Sequence, residues 1–159
     1  MAAGVALAAV GGAALLNDDG ASGPSTGILA RAARATAASA PFPDLTETEL
    51  SVGEARLRIV VADDATERTQ GLRARADLGD YDGMLFVFDA QSESAFTMST
   101  VPIALDIGFF DGAGRSVDRL RMKPCAGTES ECPIYRSSGP FRFALETLAG
   151  DLPPGRLSG

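Results

Sequence analysis

The sequence predicts a mainly β fold: a small single-domain, antiparallel, barrel-like sheet with one short helix. Three observations carry that prediction. The stretch from Gly83 to Asp118 is a series of short aromatic and β-branched runs cut by turns that contain Gly and Asp; Gly83-Met84-Leu85-Phe86-Val87-Phe88 and Ile103-Ala104-Leu105-Asp106-Ile107-Gly108-Phe109-Phe110 are the clearest. Ala55, Leu57, Ile59 and Val61 fall on one face of an alternating segment. At the far end, Phe141, Phe143, Leu145 and Thr147 alternate with Arg142, Ala144, Glu146 and Leu148.

Taken in order, residues 45–52 read as a first strand and 55–61 as its hairpin partner across Gly53-Glu54, with one wet face. Residues 63–72 read as the short helix. Asp64 suits the N-cap and Glu67 stands three residues on, the spacing of a capping box, so Glu67 is first explained as helix chemistry. Arg68 and Arg73 are read as solvated. Residues 103–110 and 115–122 pair across the Asp111-Gly112 turn. The strand 141–148 carries Glu146 on its polar side. Asp151-Leu152-Pro153-Pro154-Gly155 then breaks regular structure, and a closing strand is expected near Gly159, where the given sequence stops.

Three regions divide the chain. Residues 1–16 are apolar and uncharged, long enough for the core of a signal peptide or for a membrane anchor; the positive start of such a signal is missing, so the natural chain is expected to begin further upstream. Residues 17–43, rich in Ala, Ser, Gly, Thr and Pro, read as a flexible linker, with at most a transient helix from Ile28 to Ala38. Residues 44–159 form the globular domain. The expected location is exported: periplasmic, extracellular or tethered to the cell envelope.

Composition excludes several function classes. A net charge of -7, with no basic stripe, does not suit a phosphate backbone, so no nucleic-acid partner is expected. The chain has no histidine, which removes Ser-His-Asp and Cys-His catalysis and the commonest metal ligand. No Trp and only two Tyr leave little to stack on a sugar. No metal and no cofactor are expected. Met84, Met98 and Met122 would suit a soft copper ion, but without Met-x-x-Met clusters they read as core.

The remaining candidates are few. Cys125 and Cys132 are the whole cysteine set; an even pair in an exported chain reads as a disulfide, with a metal or redox site and free thiols as the alternatives. Asp106 sits between Leu105 and Ile107 and beside Gly108. It either lines a shallow groove that a ligand approaches or is a structural carboxylate paired with Arg68, Arg73 or a backbone N–H. The expected ligand-binding set is Asp106, Met98, Thr100 and Arg68. Glu146 is the weaker candidate, a partner for Asp106 should the two carboxylates meet.

Several motifs, in this order, resemble the domain-of-unknown-function 192 family of small prokaryotic proteins. They are Arg68-Thr69-Gln70-Gly71-Leu72, Gly83 to Phe88, Met98 with Leu105-Asp106-Ile107, Phe109-Phe110-Asp111-x-x-Gly114, Pro124-Cys125, Cys132-Pro133-x-Tyr135 and Ala144-Leu145-Glu146-x-x-Ala149-Gly150. The resemblance covers residues 50–150. It implies a compact, mostly β, barrel-like domain with a short helix, often behind a signal peptide, and it implies no activity. Where members of that family commonly carry Trp-Met-Lys-Asn, this chain has Thr97-Met98-Ser99-Thr100, and Ala104 replaces the Pro usual before Leu-Asp-Ile, so any site built on that Trp and Lys is altered here. The function expected is a non-catalytic binding or accessory module of the envelope, with an unidentified small molecule, glycan or envelope protein as partner. The alternative is a carboxylate-dependent hydrolase using Asp106 and Glu146.

Overall fold

The computed structural model describes residues 24–159, and they begin with a departure from expectation. From Pro24 on, the segment read as a linker (17–43) is folded, and its residues 17–23 lie outside the described residues. Helix α1 (Pro24–Ala32) seats Ile28 fully inside the protein, and β1 (Thr36–Ala37) pairs antiparallel with the first long strand. Phe42 is equally buried. An Ala-rich segment with few large apolar residues looks unable to fold by itself; here Ile28 and Phe42 enter cores built by the rest of the chain, and Leu29 packs against one of them. The Tyr81 hydroxyl accepts the Ser39 N–H at 2.7 Å and adds a polar fastening. The expected leader at 1–16 lies outside the described residues.

The first long strand, β2 (Thr46–Val52), runs antiparallel to β3 (Ala55–Ala62), in register from Thr46↔Val61 to Val52↔Ala55. Arg56 and Arg58 keep one face partly wet, but Ile59, Val60, Val61 and Ala62 are all buried. The single-wet-face expectation is thus corrected for the second half of β3, which has a core on both sides. Helix α2 (Ala65–Gln70) follows with the capping box in place: the Asp64 carboxylate accepts the Glu67 N–H at 2.8 Å, and the Glu67 carboxylate accepts the Asp64 N–H at 3.2 Å. The helix lies in the crossover to β4 (Gly83–Ser92), which pairs with β3 in parallel.

The chain then leaves the sheet for β5 (Phe96–Thr97) and returns as β6 (Leu105–Phe110) and β7 (Ser116–Met122), the expected hairpin. A small ribbon forms when β8 (Ile134–Tyr135) pairs with β5. Strand β9 (Phe141–Leu148) inserts between β4 and β6, and β10 (Leu157–Ser158) closes onto β2. The main sheet has the order β1-β2-β3-β4-β9-β6-β7. The fold is mainly β, as expected, with two short helices; the strand path is open rather than a barrel closed by backbone pairing.

Two cores lie on the two faces. Met84, Phe86, Met98, Leu105, Ile107, Phe109, Phe141 and Ala144 belong to one, with the ring centroids of Phe109 and Phe141 4.8 Å apart. Ile28, Leu50, Ile59, Leu85, Phe110, Phe143, Leu145 and Leu157 belong to the other. Gly114, at φ +75°, lets the β6–β7 turn touch β10: a Cβ there would stand 2.0 Å from the Leu157 carbonyl oxygen.

Because Ile28 is the large side chain that α1 buries fully in the second core, with Leu29 packed against its edge, Ile28→Ala is expected to lower unfolding stability by about 2–4 kcal/mol. Urea denaturation of the two proteins checks this; an unchanged midpoint would return the segment to the role of a linker.

Candidate functional site

Cross-strand register decides which carboxylates share a face. In β9, Glu146 stands opposite Met84 on one side and Ile107 on the other, so its side chain joins the first core. Asp106 stands opposite Thr147 and Arg121, on the reverse face. The structure does not bring Asp106 and Glu146 together, and the hydrolase expectation built on that pair is corrected for this reason.

Asp106 is satisfied where it is. Its carboxylate takes two N–H groups from Arg121 and the Gly150 N–H at 2.8 Å. The Arg121 guanidinium, with the Gly150 N–H, holds the carboxyl below its ordinary value against the opposing effect of burial. Asp106 does border a shallow depression of about 170 Å³ with Arg119, Leu120, Arg121 and Leu152. The space beside Gly108 is taken, however: a Cβ there would meet Phe110 at 3.0 Å and Leu152 at 3.1 Å. The glycine admits side chains of this protein, not a ligand. The partner expected among Arg68, Arg73 and a backbone N–H is Arg121 together with the Gly150 N–H.

Glu146 is different. It is 5 % exposed, and among the described residues no hydrogen bond or ion pair reaches its carboxyl, while no buried side-chain oxygen is sealed off without a partner. Its oxygens therefore open onto the cavity it lines, which has a volume of about 550 Å³. Burial alone pushes the carboxyl up to about 8 from an ordinary 4.5. At neutral pH the group is mainly a neutral acid, able to donate one hydrogen bond and accept others.

Three parts of the chain wall the cavity. The crossover supplies Arg68, Gly71, Leu72 and Arg73; the sheet and β5 supply Phe86, Phe88 and Phe96; the loop beyond Cys125 supplies Glu129 and Ile134. Gly71, at φ +47°, ends α2 and turns the chain down onto Phe86, whose ring a Cβ would touch at 3.4 Å. The Phe86 and Phe96 rings meet edge to face at 5.2 Å. Arg68 donates to the Val87 carbonyl at 2.8 Å and covers the Phe88 ring at 5.0 Å. Arg73 donates to the Thr69 and Ser99 carbonyls and pairs with Glu129.

That last pairing fixes the loop. Cys125 and Cys132 are joined by a disulfide, and the Ser99 hydroxyl donates to the Gly127 carbonyl at 2.8 Å. Of the ligand set expected from sequence, Arg68 lines the cavity. Met98 is fully buried in the first core, Thr100 is exposed and bonds through its backbone to Cys125 and Ala74, and Asp106 is on the other face. Phe86, Phe88, Phe96, Arg73 and Ile134 were not read as site residues. Each looks like ordinary core or surface until the ribbon is placed opposite the crossover.

With the geometry in place, comparison with known proteins is informative about family. The model of the domain-of-unknown-function 192 family (DUF192), described as "Uncharacterized ACR", matches residues 48–153. The chain belongs to the DUF192 family. All the cavity residues named above fall within the matched segment, whereas α1 and β1 precede it. A protein of unknown function from Novosphingobium aromaticivorans DSM 12444 has a similar structure, with a TM-score of 0.64 and 25% identity over 80% of this chain and 96% of that one. A protein from Sinorhizobium meliloti 1021, described as a "putative transcription regulator", gives 0.58 and 27% over 70% and 90%. No functionally curated protein matches this member of the family. No helix among its described residues is long and apolar enough to cross a membrane.

The two carboxyls predict opposite pH behaviour in DUF192's present member. Folded Glu146 keeps a proton that the unfolded chain releases above 4.5, so its contribution to stability is complete below that pH and is lost as pH rises through about 8. Folded Asp106 titrates below its ordinary 3.8, so its contribution is present above that value and is lost as pH falls. At pH 8, Glu146→Gln is expected to stabilise the protein by about 2–4 kcal/mol, with the gain vanishing near pH 4.5. Asp106→Asn is expected to cost about 1 kcal/mol at pH 7, the size usual for a solvent-facing ion pair. Urea denaturation from pH 4 to 9 reads both; a Glu146→Gln curve parallel to wild type would show that the carboxyl is not held neutral.

Proposed function

We propose that this chain is a ligand-binding accessory module of the cell envelope, and that the cavity over Glu146 is its binding site. The observation that carries this reading is a buried carboxyl, without a partner among the described residues, that lines a cavity together with Phe86, Phe88 and Phe96. Such a group costs stability, and a fold retains that cost most readily where a ligand uses the group. The cavity volume is in the range of small-molecule sites. The regulator description of the Sinorhizobium protein is not carried over, since a net charge of -7 opposes a phosphate backbone.

Location in the envelope is supported by the apolar run at 1–16 and by the Cys125–Cys132 bond, which is compatible with an oxidising compartment. Fusing residues 1–43, behind a positively charged start of the kind such a signal needs, to alkaline phosphatase, which is active only after export, is expected to give active enzyme in a bacterial host. An inactive, stable fusion would remove the envelope from the proposal and leave the cavity untouched.

The cavity itself is tested by a melting-shift screen of small molecules against the wild type and Ala95→Trp. Ala95 is an exposed rim residue, so the indole blocks the mouth without entering a core. Hits are expected to shift the wild type by several degrees and the variant by none. Hits that shift both equally bind elsewhere, and they would remove the cavity as the site.

A further inference from the structure

The chemistry of the cavity narrows its ligand, and the step rests on the reading above that the cavity binds one. We propose that the ligand is an organic ammonium ion, a primary or secondary amine on an apolar body, whose N–H groups donate to the Glu146 carboxylate while Phe86 and Phe96 enclose the body.

The argument starts from what Glu146 lacks. Among the described residues no donor reaches its carboxyl, and burial is the cause that raises it. The guanidinium groups at the mouth, Arg68 and Arg73, therefore do not stabilise its charge. Both are engaged elsewhere: Arg73 holds Glu129 and two carbonyl groups, and Arg68 holds the Val87 carbonyl and covers Phe88. A ligand is left to supply the missing positive charge. The Phe86 and Phe96 rings that line the cavity offer an apolar surface to the body of such a ligand. The net charge of -7 attracts cations toward the molecule as a whole.

The competing ligand classes fit less well. An anionic ligand would need a free cation in the cavity, and Arg68 and Arg73 are both engaged by the protein's own groups. A neutral hydroxyl compound could use the protonated acid, but then binding would weaken as pH rises and the acid ionises. An ammonium ion reverses that sign. Below pH 8 it must displace the carboxyl proton, so one proton leaves Glu146 for solvent as each ligand binds, and affinity rises with pH by about tenfold per unit. The other ionisable groups facing the cavity are Arg68 from α2, Arg73 from the turn after it and Glu129 from the disulfide loop; β4 and β6 face Glu146 with Met84 and Ile107, which do not ionise.

The experiment is a protein NMR titration of the full chain with one phenylethyl body carrying three heads: 2-phenylethylamine, 2-phenylethanol and 3-phenylpropionate. It is run at pH 6.5 and 7.5 on the wild type and on Glu146→Gln, with the Glu146 carboxyl carbon followed directly. The amine is expected to bind at least about tenfold tighter than the alcohol, to tighten about tenfold over that pH step, and to lose its advantage in Glu146→Gln. Equal or tighter binding of the alcohol or the carboxylate overturns the ammonium assignment and leaves the cavity as a binding site. So does silence of all three where the melting-shift screen has found hits sensitive to Ala95→Trp. Silence of all three together with an empty screen removes both readings.

Discussion

Strand β9 has a hydrogen-bonded neighbour on each side and a core on each face. Most of the structure depends on that constraint. A residue in the middle of such a strand, from Phe143 to Thr147, has no direct route to water, so its side chain is apolar, is paired within the protein, or opens onto an internal space. Phe143, Ala144 and Leu145 take the first course. Thr147 takes the second, its hydroxyl donating to the Leu148 carbonyl. Glu146 takes the third, and the cavity beside it follows from the same geometry that buries it. Close pairing of β9 with β4 is part of this: at Gly83 a Cβ would stand 2.3 Å from the Glu146 carbonyl oxygen, so a side chain there would force the strands apart.

The two carboxylates show how a one-residue change in register alters chemical character. Asp106 and Glu146 lie on adjacent strands, Asp106 between Leu105 and Ile107 and Glu146 between Leu145 and Thr147. Asp106 emerges where an arginine on the edge strand β7 and a free backbone N–H are within reach, and it is a structural ion pair. Glu146 emerges on the opposite face, where its cross-strand neighbours are a methionine and an isoleucine. One site is chemically closed and the other is open.

Much of this fold is legible in the sequence where a pattern is local. The capping box of α2, the turn at Gly53 and the β6–β7 hairpin are set by residues a few positions apart, and all were read correctly. Helix α1 and strand β1 were not, because Ile28 and Phe42 gain their apolar environment from strands far along the chain, and their own segment offers no periodic face. The burial of Glu146 was missed for a related reason. An alternation of Phe141, Phe143 and Leu145 with Arg142, Ala144 and Glu146 is the signature of a half-wet strand, and nothing local reports a second layer over the polar side. The small Ala144 beside Glu146 was the available signal, since a solvated face gains little from it.

The two-stranded ribbon of β5 and β8 and the loop closed by Cys125 and Cys132 contribute a wall of the cavity without belonging to the eight-stranded sheet. The covalent cross-link therefore secures the shape of the cavity more than the endurance of the domain. The Arg73–Glu129 pair and the bond from the Ser99 hydroxyl to the Gly127 carbonyl hold the same loop, so the wall over Glu146 is anchored by one covalent and two polar links that lie outside the main sheet.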